Sequence, residues 1–112
     1  MKSSKSKIQE TKANIFAELG LPDADGHFLK AQIVAELYRL SNARKFSQTE
    51  AGTLMGISQP EVSRLFKGHF REYSIERLMM FLTAFNLDVE IAVRPAKNAR
   101  KPGKIRFEPE AA

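Results

Sequence analysis

Two capped helix starts, eleven residues apart, constrain this chain more than any other feature. Ser47 and Ser58 are each followed three residues later by a glutamate. At that spacing the serine and the glutamate cap each other's backbone N–H groups at the beginning of a helix. A glycine follows each apolar stretch, where a left-handed residue can end a helix. The pattern predicts two short helices, over residues 48–55 and 59–67, joined by a tight turn.

The flanking segments are also helical in pattern. Apolar residues at helical spacing predict an amphipathic helix over residues 25–44, with Asp23 or Asp25 as its N-cap, and another over residues 74–85. We therefore expect an all-α domain of about five helices over residues 13–94.

Residues 88–94 depart from the helical pattern. Val89, Ile91 and Val93 alternate with polar or small residues at period two, which is typical of a strand. A single strand leaves both of its edges unpaired, so its natural partner is a second copy or another chain. The alternative is an extended segment that lies over the protein's own helices.

The excess of positive charge lies at the two ends of the sequence. The net charge of the 112 residues is +5, yet residues 1–12 and 95–112 each sum to +3, and residues 13–94 sum to −1. Both ends are poor in core-forming residues, so we expect a mobile basic N-terminal arm and a mobile basic C-terminal tail. They either contact phosphates or serve as solubilising tails.

Several classes of protein find no support in the sequence. There is no cysteine, which excludes disulfides, a thiolate nucleophile and cysteine metal sites. The two histidines have no ligand partners at suitable spacing, and no phosphate-binding loop or nucleophile elbow occurs. No secretory signal and no apolar run near the length of a membrane span is present. We therefore expect a cytoplasmic protein that is not an enzyme and needs no cofactor or metal.

The two short helices have the pattern of a helix-turn-helix unit, whose second helix enters the major groove of DNA. Small or apolar residues occupy the inward positions, with Leu54 and Phe66 also available to the core. The outward residues of the second helix carry amide, hydroxyl and basic groups that pair with base edges or phosphates. They are Gln59, Pro60, Ser63, Arg64 and Lys67.

Two further residues flank that helix. Gln48 begins the preceding helix, where its amide and the helix N-terminus suit a phosphate. Arg71 and His69 follow the second helix and are placed either against phosphates or in a solvated loop. From Arg44 to Arg71 the local charge is +3.

The stretch FSQTEAGTLMGISQPEVSRLFKG at residues 46–68 resembles the helix-turn-helix of the Cro and phage-repressor (XRE) family. Over residues 14–95 the wider sequence resembles the HigA-like branch, whose members are typically antitoxins of type II toxin-antitoxin modules. The resemblance implies a lambda-repressor-like domain that binds a palindromic operator as a homodimer. It also implies a RelE-like or HigB-like toxin as a further partner.

Carried over by position, the resemblance assigns phosphate contact to Gln48. Glycine stands at residue 52, where the family more often has alanine, and it should lower helix propensity by about 1 kcal/mol. The resemblance assigns base or groove contact to Gln59, Pro60 and Ser63, and mixed contact to Arg64 and Lys67.

Three functions remain open from the sequence. The first is a sequence-specific repressor that is the antitoxin of a toxin-antitoxin module and regulates its own operon. The second is a stand-alone XRE-type repressor. The third is an interaction module: either one whose main role is toxin neutralisation, or one that binds RNA or only protein.

Overall fold

Four helices make up the regular structure of residues 23–110, the part of the chain that the computed structural model describes. They are α1 (Asp23–Ala43), α2 (Gln48–Met55), α3 (Gln59–Phe66) and α4 (Ile75–Ala84). Within the described residues no helix is long and apolar enough to cross a membrane.

Three of the helices begin directly after a capping serine. The Ser47 hydroxyl accepts a hydrogen bond from the Glu50 N–H at 3.0 Å, and the Ser47 N–H donates to the Glu50 carboxylate at 2.7 Å. Ser58 and Glu61 form the same reciprocal pair at the start of α3. Ser74 caps α4 through the N–H group three residues on. The predicted capping boxes are confirmed, and Ser47 and Ser58 have a structural role.

Glycines with positive φ follow α2 and α3, as the sequence predicts. Gly56 ends α2 with φ of 77°, and Gly68 follows α3 with φ of 102°. Both lie in the left-handed region, where a Cβ would add strain. The turn between α2 and α3 therefore depends on glycine at residue 56.

The core lies where α1 packs on α4 and α2 packs on α3. Phe70, from the loop after α3, is also buried. Phe66 packs edge-on against Tyr38 with ring centres 5.3 Å apart, whereas Leu54 is 38% exposed, so its predicted place in the core is wrong. The largest fully buried side chains are Ile33, Leu37, Val62, Leu65, Leu78 and Phe85.

Two expectations about regular structure are not met in residues 23–110. The described residues form four helices and not five, and residues 1–22, including the predicted basic arm, lie outside them. The helix α1 begins at Asp23, so Asp23 and Asp25 both lie inside it and neither is its N-cap.

The predicted strand over residues 88–94 is also absent from the described chain. A strand requires a ladder of hydrogen bonds to a second segment, and no other described segment pairs with this one. Val89 packs partly against the core, whereas Ile91 and Val93 are 78% and 92% exposed. This segment therefore lies only partly over the protein's own helices.

The segment from residue 95 to residue 110 contains one turn and one contact with the core. The Lys101 N–H donates to the Asn98 carbonyl at 3.2 Å, and beyond this turn Phe107 packs partly against the core. The predicted mobility of the tail stays a prediction, but this contact ties part of the tail to the domain.

Gly52 lies where α2 and α3 approach most closely. It is buried, and a Cβ at this position would stand 2.6 Å from the Ile57 carbonyl oxygen and 3.2 Å from Cγ2 of Val62. A carbonyl in the tight turn cannot rotate away as a side chain can. The low helix propensity of glycine is therefore offset here by the close packing that it allows.

Replacing Gly52 with alanine is expected to lower stability. Overpacking costs about 1 to 3 kcal/mol, which outweighs the gain of about 1 kcal/mol in helix propensity. Urea unfolding followed by circular dichroism measures the difference. Thr53→Ala, at an exposed position of the same helix, is the control and should stay within about 0.5 kcal/mol of the parent. A Gly52→Ala protein more stable than the parent would contradict this account.

Candidate nucleic-acid interface

The first residues of α2 and α3 lie side by side at the surface. Gln48 and Gln59 begin the two helices, and Nε2 of Gln59 donates a hydrogen bond to Oε1 of Gln48 at 2.7 Å. This bond leaves Nε2 of Gln48 as a donor, and it leaves Gln59 with its second amide N–H as a donor and Oε1 as an acceptor for a further partner. Gln48 and Gln59, both predicted to contact DNA, are eleven residues apart in the sequence but hydrogen-bonded in the structure.

Four of the five contact residues predicted for this helix lie on the outer face of α3, and the fifth, Lys67, is its C-cap residue. At 100° per residue they lie within an arc of about 140°, while Val62 and Leu65 on the opposite side are fully buried. The apolar face therefore anchors α3 to the core, and the polar face remains accessible to a binding partner. Ser63 is half-buried, whereas Gln59, Pro60, Arg64 and Lys67 are exposed.

The capping box of α3 is electrostatically tied to this surface. The backbone N–H and the hydroxyl of Ser58 donate to the Glu61 carboxylate at 3.0 and 3.1 Å. These bonds lower the pKa of Glu61, and the positive charges of Arg77 and Arg64 lower it further. The charged carboxylate is thus the form that holds the start of α3.

A surface groove beside the C-terminal half of α3 is lined by three arginines. Arg64, Arg71 and Arg77 line it together with only two carboxylates, those of Glu61 and Glu72, so the groove has a net positive charge. Its remaining lining residues are Gly68, His69 and Tyr73. Such a groove suits an anionic group such as a phosphate.

Arg77 is a candidate that the sequence did not reveal. Its guanidinium carbon lies 4.9 Å from the centre of the Tyr73 ring and 5.6 Å from that of the Phe81 ring. Stacking on aromatic faces holds the guanidinium in place while leaving its charge available. No local pattern could reveal it, because Arg77 lies on α4, a helix whose apolar stripe indicates a core element. Only the packing of α4 brings it beside Arg64.

The loop after α3 is fixed from two sides. The Arg71 carbonyl accepts a hydrogen bond from Nζ of Lys30, a buried residue of α1, at 2.9 Å. The His69 N–H donates to the Arg64 carbonyl at 2.9 Å. The predicted contact residue Arg71 therefore lines the groove on a loop that α1 holds in position.

Arg44 serves the core as well as the local charge. Its guanidinium lies 5.6 Å from the ring centre of Phe85, which is fully buried. Part of the positive charge counted near the two helices is thus engaged in packing.

The two histidines have different surroundings in the described structure. His27 stacks on Phe70 with ring centres 5.0 Å apart, and His69 lines the groove. Among residues 23–110, no group of three histidine, aspartate or glutamate side chains could hold a metal ion.

Comparison with known proteins gives two matches. Residues 15–94 match a family described as a helix-turn-helix domain. A solved structure assigned to the XRE family of transcriptional regulators superimposes with a TM-score of 0.75 at 32% sequence identity, and the match covers 80% of this chain and 100% of that one. No curated protein matches the sequence. These matches support the predicted XRE type of helix-turn-helix, while neither one distinguishes the HigA-like branch.

Stability should depend on pH through Glu61. Its pKa is lower in the folded protein than the ordinary value of 4.5, so its charge favours folding at neutral pH. This contribution is complete above about pH 4.5 and is lost as the pH falls through the folded-state pKa. We expect Glu61→Gln, which keeps an acceptor but not the charge, to be less stable than the parent at pH 7.

Urea unfolding of the parent and the Glu61→Gln variant at pH 7, 4.5 and 3 measures this effect. The gap between the two proteins should narrow as the pH falls. A gap that stays constant from pH 7 to pH 3 would show that the charge of Glu61 does not support α3. Ser58→Ala, which removes the capping hydroxyl, should cost about 1 kcal/mol at pH 7.

Proposed function

We propose that the protein is a sequence-specific repressor with α3 as its recognition helix. The chain belongs to the helix-turn-helix domain family and is of the XRE regulator type. That family consists of DNA-binding transcriptional regulators. The observation that carries this proposal is the hydrogen bond between Gln59 and Gln48. It places the start of α3 and the start of α2 on one surface, where one helix can read bases while the other holds a phosphate.

Base recognition falls to the outward face of α3. The amide of Gln59 suits an adenine edge, and the hydroxyl of Ser63 suits a base or a phosphate. Arg64 and Lys67 suit guanine or phosphate oxygens. The hydrogen bond to Gln59 orients Gln48. The Nε2 group of Gln48 then donates to a phosphate at the edge of the major groove of the DNA.

Phosphate contact extends beyond α3 into the arginine groove. Arg64, Arg71 and Arg77 line this groove at the end of the recognition helix. A DNA backbone that passes the end of α3 would meet this positive surface. Contacts of this kind raise affinity for all sequences and fix the register of the protein without reading bases.

A homodimer would complete the repressor. Two copies related by a twofold axis would place their α3 helices in successive major grooves about 34 Å apart, on a palindromic operator. Repression of its own promoter would then follow from occupancy of that operator.

Neutralisation of a RelE-like or HigB-like toxin is a finer proposal, which rests on the resemblance of residues 14–95 to the HigA-like branch. An adjacent reading frame for a small basic protein would support the antitoxin role. A gene without such a neighbour would leave a stand-alone repressor.

Single substitutions on α3 should change sequence preference. A duplex selected from random DNA by the parent protein serves as the operator, and a scrambled duplex serves as the reference. Gln59→Ala and Ser63→Ala should each weaken operator binding by about 1 to 3 kcal/mol, because each removes a side chain that reads a base. Binding to the scrambled duplex should change little. Fluorescence anisotropy on the labelled duplexes measures both affinities.

Arg77→Ala is the matched contrast, because its side chain lies in the groove and not on α3. It should weaken binding to both duplexes alike and reduce the slope of log affinity against log salt by about one. If Gln59→Ala and Ser63→Ala left the ratio of operator to scrambled affinity unchanged, α3 would not be the recognition helix. Circular dichroism confirms that each variant is folded.

A further inference from the structure

The positive charge of the C-terminal tail is concentrated in residues 95–106, which we call the basic loop. This stretch carries five basic side chains and no acidic one, and the two glutamates of the tail come after it. All of its residues are exposed. The basic residues are Lys97, Arg100, Lys101, Lys104 and Arg106. A run of one sign of charge that contributes nothing to the core indicates a polyanionic partner.

Both ends of the basic loop are tied to the domain. Phe107, the residue directly after it, is half-buried and packs against the core, and Val89 makes a partial core contact on the N-terminal side. Ile105, also apolar and two residues before Phe107, is 54% exposed, so the C-terminal anchor is the phenylalanine. The chain between the two contacts is therefore a closed loop and not a free tail.

The domain does not neutralise the cations of the basic loop. Arg106 lies 3.8 Å from Glu108, but both side chains are largely exposed, and such a pair contributes little. Within residues 23–110, no carboxylate lies within ion-pair distance of the other four basic side chains. Their positive charges therefore face solvent.

A turn at Asn98 forms the tip of the loop, nine residues from each of the two core contacts. The Asn98 side-chain oxygen accepts from the Arg100 N–H at 3.0 Å, and its carbonyl accepts from the Lys101 N–H at 3.2 Å. Nine extended residues reach at most about 30 Å, which is about the diameter of a small domain. The tip can thus meet a duplex bound by α3 wherever on the domain the anchors lie.

Duplex DNA is the partner whose charge matches the basic loop. It carries one negative charge for about every 1.7 Å of its axis, so phosphates are within reach of the loop in any register. Lysine and arginine bind phosphate oxygens without reading bases. A small basic toxin would instead be repelled by the loop.

We propose that the basic loop is a second DNA-contacting element, which binds phosphates outside the base pairs that α3 reads. This inference deepens the proposed function and rests on it, since α3 must first place the domain on a duplex. The loop should raise affinity without changing base preference. Its anchor at Phe107 should raise affinity further, because a closed loop loses less conformational freedom on binding than a free tail does.

Flanking DNA tests the contact. One duplex holds the selected operator alone, and a second holds the same operator with about one helical turn, roughly 10 base pairs, of scrambled sequence at each end. In fluorescence anisotropy the parent should bind the extended duplex at least about tenfold more tightly. Replacing Lys101 and Lys104 together with glutamine should remove most of that gain and lower the salt slope on the extended duplex by about two. Binding of this double variant to the short duplex should change little.

The anchor is tested with all of the charges in place. Phe107→Ser should weaken binding to the extended duplex at least about threefold, because the loop then behaves as a free tail. Ile105→Ser is the matched control, since it removes a nearby apolar side chain that is exposed, and it should bind like the parent. Circular dichroism confirms that both variants keep the helical signal.

Lysine acetylation followed by mass spectrometry gives a second measurement on the unaltered protein. The extended duplex should protect Lys101 and Lys104 from acetic anhydride, whereas the short duplex should leave them as reactive as in the free protein. Lys67, the C-cap residue of α3, is the internal reference and should be protected by both duplexes.

The contrary results are distinct. Equal affinity of the parent for the two duplexes, or loop lysines that react alike with and without the extended duplex, would overturn the inference. A Phe107→Ser protein that binds like the parent would overturn the anchored loop. If these tests failed while the parent still preferred its operator to a scrambled duplex, the proposed function would stand. Loss of that preference in the parent would instead overturn the proposed function.

Discussion

The close approach of α2 and α3 at Gly52 is the constraint on which the candidate interface depends. With no Cβ at this position, the Ile57 carbonyl and the Val62 side chain come within a distance that alanine would block. The contact sets α3 against α2 and buries Val62 completely. The same arrangement places Nε2 of Gln59 2.7 Å from Oε1 of Gln48. A residue without a Cβ thus determines how the side chains that we propose to contact DNA are presented.

The local distribution of charge, and not the net charge of the chain, determines where this protein presents a positive surface. The net charge of +5 arises from the two ends of the sequence, while residues 13–94 sum to −1. The positive surface expected to meet phosphates comes from Arg64, Arg71 and Arg77 around one groove. Aromatic rings under Arg77 and the bond from Lys30 to the loop carbonyl hold parts of that surface in place. Salt should therefore weaken DNA binding in two ways. It screens the few arginine contacts that the groove holds in place, and it screens the contacts of the basic tails.

The sequence predicts those parts of the fold that local interactions determine. Capping serines and glycines of positive φ bond to or follow backbone groups only a few residues away. The predicted bounds of α2 and α3 therefore agree with the structure to within one residue. The polar face of α3 follows from the periodicity of its residues. A small residue at Gly52 is predicted from the close approach of the two helices in this motif, and the structure confirms it. The position of Arg77 and the exposure of Leu54 depend instead on which elements meet in space, and one-dimensional spacing does not contain that information. Residues 88–94 show the same limit, since alternation predicts a strand but not the segment that would pair with it.

Binding to the DNA upstream of the protein's own gene decides whether the protein is a sequence-specific repressor. Affinity for that duplex and for a scrambled duplex of equal length and composition would be measured over a series of salt concentrations. We expect an affinity for the upstream duplex at least about a thousandfold higher than for the scrambled one, with a steep loss of both affinities as salt rises. Equal, weak binding to the two duplexes at every salt concentration would contradict it.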